Sequence, residues 1–422
     1  MPVDRGRNGT WRREPRRSSK GVPLPAHAGY GRDMMISIHS VYANMGATVF
    51  EHMSALSREL GAINLGQGFP DSPGPPLLIE AAARALREKS NQYPPSTGIP
   101  ELRAAICDFY ARRQALDLAP ADVLVTSGAT EAIAAAIFAL VSPGDEVILF
   151  QPAYDAYGPL VRRAGGVPVD VSLTPPNFAY PIAALERAIT PRTRVLILND
   201  PLNPSGTVAS DAELAAIAGL CTKHDLAAIC DEVWENVRFD GLPHRSLLTY
   251  PGMAERAVKI GSAGKVFGLT GWKIGWMAAR GRLAVALGRA HQFLTFTSAP
   301  ALQWAVAEGL TRHDALLEQL HGEWSAARER LREGLGQAGF AVLSNAATWF
   351  LCIDLAASGL DIADAAFSDR AVHEAGVATI PVSALYEGEV RPETIVRLCF
   401  TKPESMLDEA VERLARLRAA LV

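Results

Sequence analysis

The chain has 422 residues, of which 49% are hydrophobic and 20% charged, and its formal net charge at pH 7 is −4. This length favours two domains, or one large domain with a smaller one, with ample apolar material for a buried core. The charge gives no reason to expect nucleic acid as a partner, and the longest apolar runs are about half as long as a membrane span. We therefore predict a globular protein that binds neither nucleic acid nor membrane.

The five cysteines are scattered along the chain and include no CxxC pair. This pattern indicates neither a disulfide framework nor a thiolate metal site, and the nine histidines have no metal-ligand spacing. Free thiols are typical of a reducing compartment. We therefore expect a cytoplasmic protein without a bound metal.

The N-terminal segment differs from the rest, because residues 1–33 contain seven arginines and one lysine against two aspartates and one glutamate. They lack the apolar segment of a secretory signal. A polar, basic composition is typical of disordered chain, so we predict a basic tail over residues 1–40.

From about residue 120, short apolar segments predicted as strands alternate with predicted helices. Such strands between helices predict a mostly parallel sheet covered on both faces. Chemically distinctive residues follow the predicted strands, and ligands of open parallel sheets bind beyond the carboxyl ends of the strands. We therefore expect one crevice to collect the segments that contain these residues, which are Gly128 to Thr130, Tyr154, Asn203, Asp231 and Lys265.

Lys265 lies in GSAGKVFGLTGWKIGW (261–276), after a predicted buried strand and a run of small residues. Most lysines lie at the surface. A partly desolvated lysine amine, however, has a lowered pKa and reacts with carbonyl groups. This position therefore indicates a nucleophilic lysine.

Four more motifs accompany this lysine. TSGATEA (126–132) opens a predicted helix, whose free N–H groups attract phosphate. Asp231 in CDEVW ends a predicted strand, where an isolated acid is often a helix N-cap. NDPLNPSG (199–206) taken alone is a proline-stiffened loop. Arg397 lies in IVRLCFTK (395–402), a strand-like alternating run. Its charge needs a partner there, for which a structural salt bridge is the alternative to a ligand.

Together and in this order, the motifs resemble those of the fold-type I (class I/II) aminotransferases, which use pyridoxal 5'-phosphate (PLP). The nearest resemblance is to the kynurenine–oxoglutarate and methionine aminotransferase branch, and it covers residue 47 to the C-terminus. It implies an α/β fold of PLP-dependent transferase type I, with a mostly parallel central sheet, helices on both faces and a smaller α/β domain. The implied domains are a large PLP-binding domain (75–318) and a small domain (41–74 and 319–422), whose closure would bring Arg397 to the site.

The resemblance also implies a role for each motif residue. Lys265 would form a Schiff base with PLP and later move a proton, while Asp231 would pair with the pyridinium nitrogen. Asn203 would contact the cofactor's phenolic oxygen and the substrate carboxylate, and Arg397 would clamp that carboxylate. Tyr154, unless it is a core aromatic, would stack on the ring.

The remaining roles concern the phosphate and the substrate. The phosphate contacts implied by the resemblance are Gly128, Ala129, Thr130, Ser262 and Lys273, together with Tyr93 from a neighbouring subunit. The implied substrate contacts are Gly68, and Thr295 and Phe296 from the neighbour. A homodimer with shared active sites follows from these assignments.

The chain departs from the family pattern beside the catalytic residues. Trp234 stands where the family usually has a tyrosine that donates to the phenolic oxygen, so we expect that hydrogen bond to be lost or rerouted. Ala347 and Trp349 replace a glycine and a smaller aromatic. For Glu232 and Glu235 we expect solvated or structural roles.

The predicted function is transfer of the amino group of an L-amino acid, of methionine, aromatic or kynurenine type, to a 2-oxo acid by ping-pong kinetics. A cysteine-conjugate β-lyase would use the same lysine and aspartate. A PLP-binding regulator without turnover is less favoured, because residues 1–33 are too short for a DNA-binding module. A non-catalytic scaffold would leave the joint presence of Lys265, Asp231, Asn203 and Arg397 unexplained.

Overall fold

A computed structural model describes residues 36–43, 45–388 and 390–422. The tail predicted for residues 1–40 lies outside the described residues except for its last five. The chain divides into two units between residues 45 and 46. The first unit contains the described helix α1 (Ser40–Ala43), and the second contains the elements given below.

The strands of the second unit are β1 (Ile63–Asn64), β2 (Val123–Thr126), β3 (Glu146–Gln151), β4 (Val167–Ser172), β5 (Thr193–Asn199), β6 (Ala227–Asp231), β7 (Ala257–Ser262), β8 (Gly275–Ala278), β9 (Ala341–Val342), β10 (Phe350–Asp354), β11 (Val377–Ala378), β12 (Ile380–Pro381) and β13 (Ile395–Cys399). Its helices are α2 (Val49–Leu60), α3 (Pro76–Glu88), α4 (Pro100–Gln114), α5 (Ala129–Leu140), α6 (Tyr157–Arg163), α7 (Ile182–Ala188), α8 (Asp211–Lys223), α9 (Ala263–Val266), α10 (Gly281–Gln292), α11 (Pro300–Arg312), α12 (Asp314–Gln337), α13 (Asp364–Glu374) and α14 (Glu404–Leu421).

A seven-stranded sheet forms the centre of the second unit, in the order β2-β8-β7-β6-β5-β3-β4. Its strand pairs are parallel except that β8 runs antiparallel to both β2 and β7. All residues of β3 and β7 are buried, as expected for strands covered on both faces. The predicted α/β class with a mostly parallel sheet is confirmed, whereas β4 and β8 were not predicted.

Smaller sheets come from other parts of the chain. Strands β12-β13-β10-β9 form an antiparallel sheet, and β1 pairs in parallel with β11. These strands lie outside residues 75–318, where the seven-stranded sheet lies, although the predicted domain boundaries themselves stay a prediction. No helix among the described residues is long and apolar enough to cross a membrane.

The neighbouring parallel strands β5, β6 and β7 all point their carboxyl ends to one edge of the sheet. The loop after β5 contains two cis peptide bonds, Asp200–Pro201 and Asn203–Pro204. The Asp200 side chain accepts a hydrogen bond from the Ala209 N–H at 2.7 Å and so closes this loop. The fold thereby brings the motif residues to a single edge.

Candidate active site

A cavity of about 290 Å³ at this edge brings together twelve of the predicted site residues. Eight further lining residues were not singled out from the sequence: Phe50, Ile133, Asn199, Val233, Gly264, Thr270, Ile274 and Phe350. The predicted residues in the lining are Gly68, Gly128, Ala129, Thr130, Tyr154, Asn203, Asp231, Trp234, Ser262, Lys265, Lys273 and Arg397.

Three predicted residues do not line this cavity, namely Tyr93, Thr295 and Phe296. All three are exposed, and the ring of Tyr93 packs edge-on against Phe296 with 5.6 Å between centroids. They are the residues expected to serve a neighbouring subunit. That expectation stays a prediction, which is compatible with their exposure.

The Lys265 amine lies against aromatic rings. Its Nζ is 4.6 Å from the ring centroid of Trp234 and 5.1 Å from that of Trp349, and it donates to the Gly68 carbonyl at 3.4 Å. Desolvation lowers the pKa of Lys265 to about 8. A substantial neutral fraction near neutral pH makes this amine a competent nucleophile.

Asp231 is buried, and only one of its two carboxylate oxygens has a hydrogen-bond partner among the described residues. Its Oδ2 accepts a hydrogen bond from the Tyr157 hydroxyl at 2.5 Å, whereas its Oδ1 has no partner among the described residues. Burial raises the pKa of Asp231 to about 6, while the bond from Tyr157 acts in the opposite direction. A buried carboxylate oxygen without a partner is costly, so this aspartate fits a protonated ring nitrogen of a cofactor.

A chain of hydrogen bonds connects Asp231 with Arg397. The Asn199 side chain donates to the Asp231 carbonyl at 3.0 Å, and the Asn203 N–H donates to the Asn199 side chain at 3.0 Å. The Asn203 side chain in turn accepts from Nη1 of Arg397 at 2.9 Å. The two ends of the site are therefore positioned by one network.

Arg397 is a buried cation with neutral partners. Its guanidinium stacks between Phe350 and Phe50, 4.0 and 4.9 Å from their centroids, and Nη2 donates to the Gly66 carbonyl at 2.5 Å. Nε has no partner among the described residues. Burial lowers the pKa of Arg397 to about 10, so the group stays charged at neutral pH. A buried charge held in this way suits an incoming carboxylate.

The turn between β2 and α5 has the geometry of an anion site. Gly128 has φ +81, and Nζ of Lys273 lies 3.2 Å from the place a Cβ on Gly128 would occupy. A Cβ on Gly275 would lie 2.7 Å from the Gly128 carbonyl carbon, so both positions require glycine. The start of α5 and the Lys273 ammonium thus come together where a phosphate would bind.

Two of the residues that depart from the family pattern, Trp234 and Trp349, contact each other. Trp234 packs edge-on against Trp349 and Phe350, with centroids 5.0 and 5.3 Å apart. Trp349 is fully buried, and its Nε1 has no partner among the described residues. The two tryptophans therefore form a single packing unit beside Lys265.

A buried ionic cluster lies on the same strands. Glu232 and Glu235 are 1% and 4% exposed, so the expectation of solvated side chains is wrong and the structural alternative fits. Both form ion pairs with Lys259, which has no exposed surface. Ligand atoms of Glu232, Glu235 and His244 lie within 4.8 Å of one another, a spacing that would suit a metal. The Lys259 ammonium already supplies the positive charge between the two carboxylates.

The class of protein follows from comparison with known families. The family of aminotransferases of class I and II matches residues 61–414, so the chain belongs to this family. It is an enzyme of the transaminase class with the fold-type I architecture, and its cofactor is PLP. The predicted family, fold, enzyme class and cofactor are thereby confirmed.

Particular relatives are also similar over nearly their full length. The chain is 45% identical over 381 residues to a probable N-succinyldiaminopimelate aminotransferase of Mycobacterium tuberculosis, covering 88% of this chain and 96% of the relative. It is 40% identical to the methionine aminotransferase of Escherichia coli, with the same coverage. The solved N-succinyldiaminopimelate aminotransferase of M. tuberculosis superposes with a TM-score of 0.87 at 44% identity, covering 90% of this chain and 100% of that one.

Proposed function

We propose that this aminotransferase takes the amino group from an L-amino acid with an apolar or aromatic side chain, of methionine or kynurenine type, and passes it to a 2-oxo acid by ping-pong kinetics. The observation that supports this proposal is the presence of four aromatic side chains in the cavity lining, Phe50, Tyr154, Trp234 and Phe350. The methionine and kynurenine aminotransferases among the relatives, at 40% and 33–35% identity, agree with it.

The cations of the cavity support the same proposal. Among the described lining residues they are Lys265, Lys273 and Arg397. We assign Lys265 to the cofactor, Lys273 to its phosphate and Arg397 to the α-carboxylate of the substrate. None is then left for a carboxylate on the side chain of the substrate.

N-succinyldiaminopimelate is a second candidate donor, because a relative of that name is 45% identical. Its further carboxylates would require another cation. We place that cation on the partner subunit of the proposed dimer. The second candidate therefore requires a cation beyond the described lining residues, whereas the first does not.

Each of the site residues has a separate role in the proposed transamination. Arg397 and Asn203 orient the α-carboxylate, and Lys265 holds the cofactor and then moves the proton that leaves the substrate Cα. Asp231 holds a positive charge on the ring nitrogen. PLP supplies the electron sink that stabilises the carbanion when the Cα proton leaves.

We also propose a cytoplasmic homodimer. Tyr93, Thr295 and Phe296 are exposed and would complete the site of the neighbouring subunit. The five cysteines are free and buried, which agrees with a reducing compartment.

The test is a half-reaction with single donors. Holo-protein is mixed with methionine, phenylalanine, kynurenine, glutamate or N-succinyldiaminopimelate without any oxo acid, and the visible cofactor band is followed. We expect apolar and aromatic donors to bleach the band fastest, with pyridoxamine phosphate as product. Fastest bleaching by N-succinyldiaminopimelate would establish the second candidate. Release of ammonia from a cysteine conjugate, with the band intact, would establish a lyase.

We expect Tyr157→Phe to raise the pKa of Asp231 further, because the Tyr157 hydroxyl donates to its charged form. Protonation of Asp231 would then weaken its hold on the ring nitrogen at a higher pH. The acid limb of the half-reaction rate should move to higher pH, and PLP should bind roughly tenfold more weakly. Tyr386→Phe is the matched control, since this buried tyrosine donates at 2.6 Å to the Leu173 carbonyl instead. Identical pH profiles for the two variants would contradict the role given to Tyr157.

A further inference from the structure

His291 lies between two hydrogen-bond acceptors. It occupies the last turn of α10 and has no exposed surface. Its Nδ1 is 2.8 Å from Oε1 of Glu131, and its Nε2 is 2.7 Å from the Ser96 carbonyl oxygen. A carbonyl can only accept, and a carboxylate can only accept, whereas a neutral imidazole has a single N–H. Both hydrogen bonds can therefore form only if the pair of His291 and Glu131 carries one proton more than a neutral imidazole and an ionised carboxylate.

The surroundings place that proton on the histidine. The other oxygen of Glu131, Oε2, accepts a hydrogen bond from the Ser127 N–H at 3.0 Å, which favours an ionised carboxylate. Although burial opposes it, the hydrogen bond and charge of Glu131 raise the pKa of His291. Glu131 is the charged group that faces the imidazole among the described residues, since Ser96 contributes only its carbonyl.

These bonds meet where three functional segments approach one another. Ser127 and Glu131 belong to the turn and first helical turn assigned to the cofactor phosphate. Ser96 belongs to segment 91–98, which carries Tyr93. The carbonyl of His291 accepts from the N–H groups of Leu294 and Thr295 at 3.0 and 3.4 Å, and so begins segment 293–297.

We propose that His291 is a positioning residue, held as an imidazolium, which couples the cofactor-phosphate turn to segments 91–98 and 293–297, and that cofactor binding weakens when its second proton is lost. This inference rests on the proposed function, because it takes residues 128–130 as the phosphate contacts. A histidine whose folded pKa is raised contributes fully below its unfolded pKa of about 6.5, and its contribution is lost as pH rises through the folded value.

The test measures binding of pyridoxamine 5'-phosphate to apo-protein between pH 6 and 9, because this ligand cannot bond covalently to Lys265. We expect His291→Gln to weaken binding roughly tenfold at pH 6.5, with a difference that shrinks towards pH 9. Glu131→Gln can keep the Ser127 bond but removes the charge, so its loss of affinity should begin at a lower pH than in the wild type. His373→Gln is the control, an exposed histidine whose hydrogen bond and ion pair are both made with Asp369.

Two further measurements separate the possible failures. A neutron structure of the wild-type holoenzyme should show deuterons on both nitrogens of His291. One deuteron on the ring, or a deuteron on Glu131, would overturn the proposal, even if His291→Gln failed to fold.

If Lys273→Ala weakens binding but His291→Gln and Glu131→Gln follow the control, the inference is wrong and the proposed function stands. If Lys273→Ala also binds normally, the phosphate assignment falls and the inference with it.

Discussion

We expect Lys265→Ala to lower the rate of transamination by at least about 10³-fold, since it removes the group proposed to hold the cofactor and to transfer the proton. Borohydride reduction of the wild-type holoenzyme, followed by peptide mass mapping, should place the cofactor on Lys265. The variant should show no labelled peptide. Lys223→Ala, which removes an exposed lysine paired with Glu186, is the control and should keep both label and activity.

The lowered pKa of Lys265 adds a pH dependence to this prediction. Because the neutral amine is the reacting form, the rate at which PLP attaches to apo-protein should rise with pH and level off above about 8. A label on Lys273 or on any other lysine in place of Lys265, or attachment that becomes faster as pH falls, would contradict the assignment.

The sequence was sufficient for the strands that precede the motifs and for twelve of the twenty residues that line the cavity. The strands that precede the motifs are apolar runs of the kind that parallel sheets bury on both faces. Once the strands are placed side by side, their carboxyl ends must meet, and residues such as Asp231 and Lys265 come together without any detailed packing argument. The antiparallel strand β8 was missed because its first two residues overlap the end of the glycine-rich segment 261–276, which was interpreted for its lysines.

Contacts between residues far apart in the chain could not be predicted in the same way. Tyr157 reaches Asp231 across 74 positions, and His291 reaches Glu131 across 160. Neither pair has a local spacing that a sequence pattern could detect. The burial of Glu232 and Glu235 was missed for a related reason, because it depends on Lys259, which looks like any polar residue in a strand until its neighbours are known.

Lys259→Met should be the most destabilising single change in the buried cluster. Lys259 forms ion pairs with Glu232 and Glu235, and its ammonium lies 4.7 Å from the ring centroid of Tyr110. Although burial opposes it, Lys259 and His244 hold the pKa of Glu232 down at about 2. Without the lysine, the two buried carboxylates lose the ion-pair partner that they share, and His244 remains beside Glu232. We expect the free energy of unfolding to fall by about 3–5 kcal/mol.

The sign of the pH dependence distinguishes this explanation from a simple packing defect. In the wild type the depressed pKa of Glu232 contributes stability above the unfolded value of about 4.3, and that contribution is lost as pH falls towards 2. In Lys259→Met, burial acts on Glu232 without the lysine to oppose it, so we expect the pKa of Glu232 to rise above its unfolded value. The variant should therefore gain stability as the pH falls from 8 to 5. Over the same range, the contribution of Glu232 to the stability of the wild type does not change.

Urea unfolding of the holo-proteins at pH 5 and pH 8 measures both effects. Adding Glu232→Gln and Glu235→Gln to Lys259→Met removes the uncompensated charges, so we expect this triple variant to recover most of the lost stability and to lose the inverted pH dependence. Lys223→Met breaks an exposed ion pair and should change the free energy of unfolding by less than about 1 kcal/mol. Equal instability of the single and triple variants would show that the volume of Lys259 matters more than its charge. Because Glu232 follows Asp231 directly, a destabilised cluster should also weaken PLP binding, and the triple variant should restore it.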